Sequence, residues 1–391
     1  MTRDLQKILD KKFGPGRIAI ASEARALVYD RVPTGSLQLD LALGGGLPLG
    51  RITEFAGPES HGKTTAILRI LAENQKLGRV CAFVDTEGSF DFDFARKIGV
   101  DLDALIFNAP ASLEDMIDMV EVLVASREVS LIAIDSITGP VPTHVQGRSA
   151  DEPTMGTEAK LNNLFCRKVV TAMAPGDLTK EENRPWCSVI YTNQLRDSFD
   201  MYGGPDVGGG WGLRFFKSIS VLFRRAKWLD AVGGEVKETK AEKWGATLTF
   251  VAKKNKTAVP HGTGEVDFFF RDAAYVHAGQ YDLLKDVLIT ATRFGLIEQR
   301  GAYYYVGGAN FLGMEKLLQG LRTDLSVSED LRRLMQTQHG VRFWYYFPSV
   351  ERRMRRLADA TEVVGADAES PQGQSQDGGE SSAEDSGAGS A

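Results

Sequence analysis

The chain has 391 residues, 43% hydrophobic and 25% charged, with a formal net charge of −6. This is the balance of a globular chain with room for more than one domain, and it excludes a fibrous or wholly disordered protein. No run approaches the roughly 18 uninterrupted apolar residues of a membrane helix, and Cys81, Cys166 and Cys187 are too scattered for a zinc site or disulfide frame, which fits a reducing cytoplasm.

The N-terminal MTRDLQKILDKKF mixes charges of both signs and has no long apolar stretch, which argues against a signal peptide. Leu5, Ile8, Leu9 and Phe13 share one stripe of a helix that needs a surface to cover it. After the short apolar RIAIA, the glycine-rich GSLQLDLALGGGLPLGR leads into a buried strand, ITEFAG. Next comes GPESHGKTT, which fits G-x-x-x-x-G-K-[ST] through Gly57, Gly62, Lys63 and Thr64. Such a loop turns backbone amides toward phosphate oxygens, sends its lysine to the β- and γ-phosphates and offers a hydroxyl to Mg²⁺. Pro58, Glu59, Ser60, His61 and Thr65 complete the nucleotide-binding stretch. The helical AILRILAENQKLG follows, so its N-terminus faces the same anion.

Later strand ends carry groups suited to that ligand. VCAFVD is followed by Glu87, which is chosen over Asp85 to orient a water; the plainer reading is that either acid caps the next segment. After the helical SLEDMIDMVEVLVAS, LIAIDS ends in Asp135, where a carboxylate can support Mg²⁺. After the helical EAKLNNLFCRKVVTAM, SVIYTNQL ends in Asn193 and Gln194. Gln194 is either an amide that senses a γ-phosphate and pulls the loop behind it, or an ordinary polar strand end. That loop, RDSFDMYGGPDVGGGWGLRFF, reads as long and glycine-rich, with Arg196, Tyr202, Gly209, Gly210, Trp211 and Arg214. Aromatics and arginines on such a backbone suit single-stranded nucleic acid; an active-site lid fits as well.

ISVLF and ATLTFV lie close together and read as antiparallel additions to the sheet. VAKKNKTAVP sets Lys254 and Lys256 on one strand face, either to neutralise charge at a γ-phosphate or as a solvated strand end. From about residue 272, short helical patterns and the hairpin-like GLIEQRGAYYYVGG indicate a small α+β domain, 272–357. Within it, HGVRFWYYFPSVERRMRR is either a final packed helix or an added contact to DNA or a partner. No Lys or Arg follows Arg356, whereas Asp359, Glu362, Asp367, Glu369, Asp377, Glu380, Glu384 and Asp385 do, so residues 1–358 alone carry +2. The tail 358–391 is expected to be disordered, either as a solubilising end or as a competitor with DNA for basic surface. Alternating β and α patterns over 34–271 indicate an α/β fold, a central mainly parallel twisted sheet with helices on both faces.

Taken in order, GSLQLDLALGGGLPLGRITEFAGPESHGKTT, CAFVDTEGSFDFDFARKIGVD, LIAIDS, NQLR and KKNKTAVP resemble the RecA-type recombinases, from roughly Leu5 to about Gln338. The resemblance implies a RecA-like P-loop ATPase core with ATP and Mg²⁺ as cofactors. It implies a DNA-dependent ATPase that forms a helical homo-oligomeric filament on single-stranded DNA, pairs it with homologous duplex DNA and exchanges strands. Lys63, Thr64 and Thr65 would then bind phosphate and Mg²⁺, Glu87 activate water, Asp135 support the metal and Gln194 report the γ-phosphate. Lys254 and Lys256 would act on a neighbour's ATP, while Phe94 stacks on adenine with Asp91 near its amino group. DNA would be held around Met155, Gly156, Lys160 and Arg167, and along the Arg196–Arg214 segment. Segment 1–33 becomes an oligomerisation helix, the 272–357 domain captures duplex, and single-strand-binding and loader proteins are further partners. His61 stands where a small residue is usual, Phe94 where a tyrosine is, and GGGWG replaces a threonine-rich turn. Competing expectations are a related helicase or branch-migration motor, and an ATP-gated scaffold on single-stranded DNA. Lys-Asn-Lys in place of a trans arginine and the lack of C-x-x-C argue against the first; Glu87, Asp135 and Gln194 argue against the second.

Overall fold

The computed structural model describes residues 3–27, 30–147, 156–196, 206–208, 210–238, 240–295, 297–306 and 309–323. Met155, Tyr202, Gly209, the HGVRFWYYFPSVERRMRR segment and the acidic tail lie outside the described residues.

Helix α1 (Arg3–Phe13) comes first, followed by β1 (Arg31–Val32), α2 (Leu37–Leu43) and β2 (Leu47–Pro48). The central run is β3 (Ile52–Gly57), α3 (Lys63–Gln75), β4 (Val80–Asp85), α4 (Phe92–Ile98), β5 (Leu105–Asn108), α5 (Leu113–Ala125) and β6 (Val129–Asp135). It continues through α6 (Thr157–Ala172), β7 (Ser188–Arg196), β8 (Asp206–Val207), α7 (Gly210–Phe216), β9 (Ile219–Leu229) and β10 (Glu235–Val236). Last come β11 (Gly245–Asn255), β12 (Thr263–Phe269), β13 (Gln280–Tyr281), α8 (Leu283–Arg293), β14 (Glu298–Arg300), β15 (Tyr303–Val306), β16 (Ala309–Leu312) and α9 (Met314–Thr323).

The principal sheet has the order β13-β12-β11-β9-β3-β7-β6-β4-β5. Neighbours from β9 to β5 are parallel, and β11, β12 and β13 add on antiparallel. Every residue of β3 is buried, as befits a parallel strand covered on both faces. Alternation within the strands divides the packing. Ala82, Val84, Ile132, Ile134, Val189 and Tyr191 form one core with side chains of α5 and α6. On the opposite face, Cys81 points its thiol at the Leu71 carbonyl of α3. Side-chain caps start several helices: Ser36, Asp91, Ser112 and Asp282 each accept an amide from the first turn that follows. Among the described residues no helix is long and apolar enough to cross a membrane.

The segment expected to be one long glycine loop is in part regular. Strand β8 pairs with β7, and GWGLRFF is helix α7. Its glycines serve close packing: a Cβ at Gly210 would stand 2.8 Å from Ala159 Cβ, and one at Gly212 would stand 2.8 Å from Asn163 Cα, both on α6. A helix that buries Leu213 against a neighbour in this way outweighs the poor helix propensity of glycine.

Residues from α8 to α9 surround a small core of Val287, Leu288, Ala291, Ile297, Val306, Leu317 and Leu321, which Leu37 of α2 joins. Asp286 ties the two regions, its carboxylate accepting the amides of Leu37 (2.6 Å) and Gln38 (3.0 Å) at the start of α2. Farther along α2, Asp40 accepts the Thr34 amide at 2.9 Å. Burial pushes its carboxyl up from 3.8 to about 8, and the hydrogen bond from Thr34 opposes only part of that shift. Between about pH 4 and pH 8 the folded chain therefore holds a proton that the unfolded chain releases. Stability from this group is present below pH 4 and is lost as pH rises, by at most about 1.4 kcal/mol per pH unit. Asp40→Asn keeps the acceptor for Thr34 and removes the titration. Its urea midpoint, compared with the parent's from pH 4 to 8, is expected to fall less as pH rises; parallel curves would refute the assignment.

Candidate active site

Gly57 closes β3 and the phosphate loop turns from it into α3. Gly62, at φ 86°, is the N-cap, and a Cβ there would lie 2.5 Å from Leu248 Cδ1. Glycine is required on both counts. Lys63 is buried and its ammonium donates to the carbonyls of Gly57 (2.9 Å) and Pro58 (2.7 Å). That leaves one of its three donors for a phosphate oxygen. Burial lowers its pKa, and the charges of Asp135, Glu87 and Glu59 oppose the shift. Thr64 Oγ1 donates to Asp135 Oδ2 at 2.6 Å, and the same carboxylate accepts from Thr192 Oγ1. His61 turns its Nδ1 back to the Glu59 carbonyl at 2.6 Å, inside its own loop.

Asp85 and Glu87 have separate tasks. The Asp85 carboxylate accepts the amides of Glu87 (3.1 Å), Gly88 (2.9 Å) and Phe90 (3.0 Å), so it builds the turn. Thr86 fastens that turn beside Asp135 through its amide to the Asp135 carbonyl (2.9 Å) and its hydroxyl to the Ser136 carbonyl (2.6 Å). Glu87 is left exposed at the tip. Gln194, also exposed, is in register with Gly57 across β3 and β7.

A cleft of about 250 Å³ runs from the phosphate loop to a wall of Arg225, Trp228, Phe268 and Phe270. Arg225 donates to the Ser60 carbonyl at 3.0 Å and lies 4.1 Å above the Trp228 ring. Phe94 meets this wall edge-on at Phe268, ring centroids 6.1 Å apart, and Asp91 caps α4 by accepting the Phe94 amide at 2.9 Å. The donor set combines backbone amides, an ammonium, and a hydroxyl with a carboxylate behind it. It fits a polyphosphate with a hard, oxygen-seeking cation, and the aromatic wall fits a base.

The expected shared strand face is not formed, because β11 ends at Asn255: Lys254 lies on the strand and Lys256 just beyond it, and each reaches the end of α7. Lys254 Nζ donates to the Arg214 carbonyl (2.6 Å) and Lys256 Nζ to that of Phe215 (2.9 Å). Cations at a helix C-terminus satisfy carbonyls that the helix leaves open. Burial lowers the Lys254 pKa to about 8, with the charges of Lys256 and Lys217 adding to it. Trp211 and Phe215 stack along the outer side of α7 at 5.8 Å, 69% and 64% exposed, with Arg214 5.3 Å over Trp211. Lys160 and Arg167 are exposed on the adjacent α6, whose N-cap is Gly156, and Arg196 ends β7.

The model of the RecA N-terminal domain matches residues 1–274. The chain belongs to the RecA family. Protein RecA of Chlorobaculum tepidum is 36% identical over 338 residues, 84% of this chain and 89% of that one. Protein RecA of Paracoccus denitrificans is 35% identical over 353 residues, 87% and 92% of the two chains, and that of Thermus aquaticus 34% over 331 residues, 83% and 90%. RecA membership makes the chain a recombinase of DNA repair that binds ATP and DNA. The Arg225 and Trp228 part of the wall is not legible in the sequence because no spacing rule connects FRRAKW to the phosphate loop; the pairing of β9 with β3 does so. Gly62→Ala adds both a strained φ and a clash with Leu248. It is expected to weaken nucleotide binding by about tenfold or more; calorimetric affinity equal to the parent's would remove Gly62 from the site.

Proposed function

We propose that this RecA-family chain is a DNA-dependent ATPase that assembles as a helical filament on single-stranded DNA, pairs it with a homologous duplex and exchanges strands. The observation that carries this reading is the register of β3 with β7, which sets Gln194 beside Gly57 and sends the chain on to α7. Lys63 and the loop amides bind the triphosphate, and Thr64 with Asp135 behind it holds Mg²⁺. When bound there, Mg²⁺ supplies positive charge against that developing on the phosphoryl oxygens. Glu87 orients the attacking water from the turn that Asp85 builds. Gln194 donates to the γ-phosphate and passes its presence to the DNA segment. Asp91 and Phe94 serve the adenine end. Met155, Gly156, Lys160 and Arg167, together with Arg196, Tyr202, Gly209, Gly210, Trp211 and Arg214, hold DNA by stacking and phosphate contacts without reading bases.

Assembly completes the site. Lys254 and Lys256 turn to the nucleotide of a neighbouring subunit, where two cations offset charge in the transition state. Two exposed apolar surfaces support a filament: α1 buries none of its residues, and edge strand β5 presents Ile106 and Phe107 beside Phe92. The reaction belongs in the cytoplasm, with single-strand-binding and loader proteins as further partners.

Strand exchange tests the reading. Protein, Mg²⁺, ATP and a single-stranded oligonucleotide are mixed with a labelled homologous duplex, and in parallel with a heterologous one. Displacement confined to the homologous duplex is expected; displacement blind to homology, or none although DNA is bound, would overturn it. A shared site makes a second prediction. Lys254→Ala and Glu87→Ala are each expected to turn over slowly, and their mixture to recover activity at interfaces that combine the intact halves. No recovery in the mixture would place both groups on one subunit's nucleotide.

A further inference from the structure

A buried carboxylate of the central strand β3 connects with groups next to α7. Glu54 of β3 is 0% exposed. Its Oε2 accepts from Lys217 Nζ and from Ser220 Oγ (2.6 Å), and its Oε1 accepts from Asn193 Nδ2 (3.1 Å). Lys217 is itself only 5% exposed, so both charges are out of water and each answers the other. The donors arrive from different places. Asn193 sits on β7 immediately before Gln194, Lys217 occupies the junction between α7 and β9, and Ser220 belongs to β9. Asn193 Nδ2 also donates to the Gly208 carbonyl just ahead of α7 (3.0 Å), and the Lys217 amide donates to Leu213 within it (3.3 Å). Both ends of α7 therefore return to one carboxylate, on the strand that runs into the phosphate loop at Gly57.

We propose that Glu54 and Lys217 are positioning residues that couple the nucleotide site to helix α7. The inference rests on the reading above that α7 is part of a DNA-binding segment. Neither charge touches phosphate or DNA. Their effect is on movement: neither partner of a buried, hydrogen-bonded ion pair is left behind without water to replace the other, so a displacement of β3 or β7 carries α7 with it. If the pair only braced the sheet, its loss would lower stability and leave the two ligands' dependence on each other intact.

That dependence is a ratio, the affinity for a single-stranded oligonucleotide with a non-hydrolysable ATP analogue over that with ADP. The double variant Glu54→Gln/Lys217→Met removes both charges and leaves neither unpaired. Its ratio is expected to fall by roughly fivefold or more, with nucleotide affinity in the absence of DNA kept within about twofold. An unchanged ratio in a folded variant would overturn the proposal. Lys217→Arg keeps the charge and is expected to hold the ratio within about twofold; a loss equal to the double variant's would show that charge is not what couples. If the double variant does not fold, Asn193→Ala cuts the link to Gly208 and is expected to lower the ratio by about twofold or more, and an unchanged ratio would again overturn the proposal. Nucleotide-independent DNA binding by the parent protein would instead overturn the DNA reading itself, and this inference with it.

Discussion

Strand β3 is paired in parallel on both sides, with β7 and with β9. Each pairing places something at the phosphate loop. The β7 register brings Gln194 level with Gly57, and β9 brings Phe223 so close that a Cβ on Gly57 would lie 2.5 Å from its carbonyl oxygen. Because the ladder on both edges of β3 is occupied, the loop at its end has a fixed exit, and α3 begins where the amides converge. Ligands of such sheets bind beyond the carboxyl ends of the strands. Here β3, β4 and β6 end there in Gly57, Asp85 and Asp135, and β7 passes Asn193 and Gln194 level with Gly57 before it ends at Arg196.

Several charges close to this sheet are buried, and each has a partner: Glu54 with Lys217, Asp267 with Lys285, Asp282 with Arg322. Removing an ion pair from water costs about as much as the attraction returns, so such pairs are poor sources of stability. What they supply is a geometric condition, since a displacement that separates them leaves two unsolvated charges. Asp282 and Asp267 apply it to α8 and α9, where Lys285 and Arg322 belong to those helices. Glu54 applies it between β3, β7 and the end of α7. The same logic explains Asp85, whose carboxylate meets amides in place of a cation and gives the turn a fixed shape.

Much of this was legible in the sequence. The order strand, GPESHGKTT, helix needs only local chemistry, and the buried runs VCAFVD, LIAID and SVIYTN are strands in the structure. Of the two later runs expected as antiparallel additions, ATLTFV in β11 is one, whereas ISVLF in β9 joins β3 in parallel, a partnership that short separation from β11 does not reveal. What local patterns could not show is partnership over long separations. ITEFAG reads as a buried strand, yet nothing in it announces that Glu54 meets Lys217, far along the chain. RDSFDMYGGPDVGGGWGLRFF reads as a loop because it is long, rich in glycine and nearly without aliphatic residues. Two of those glycines are where α7 approaches α6, a tertiary reason that propensity does not contain. Asp91, expected near a base, is also the cap of α4.

Helix α7 is short, and an isolated helix of its length has no stability of its own in water. Its conformation depends on what is attached to it: the glycine seam on α6, Asn193 at its entrance, and Lys254, Lys256 and Lys217 at its exit. Of these, Asn193 precedes Gln194, and Lys254 and Lys256 are themselves proposed to meet a neighbouring subunit's nucleotide. An element so held responds to changes in its attachments more than to anything within itself. The exposed stack of Trp211 and Phe215 is carried on that element. On the proposed function, this is how the strand that leads into the phosphate loop and an aromatic surface for nucleic acid act together, although no side chain belongs to both.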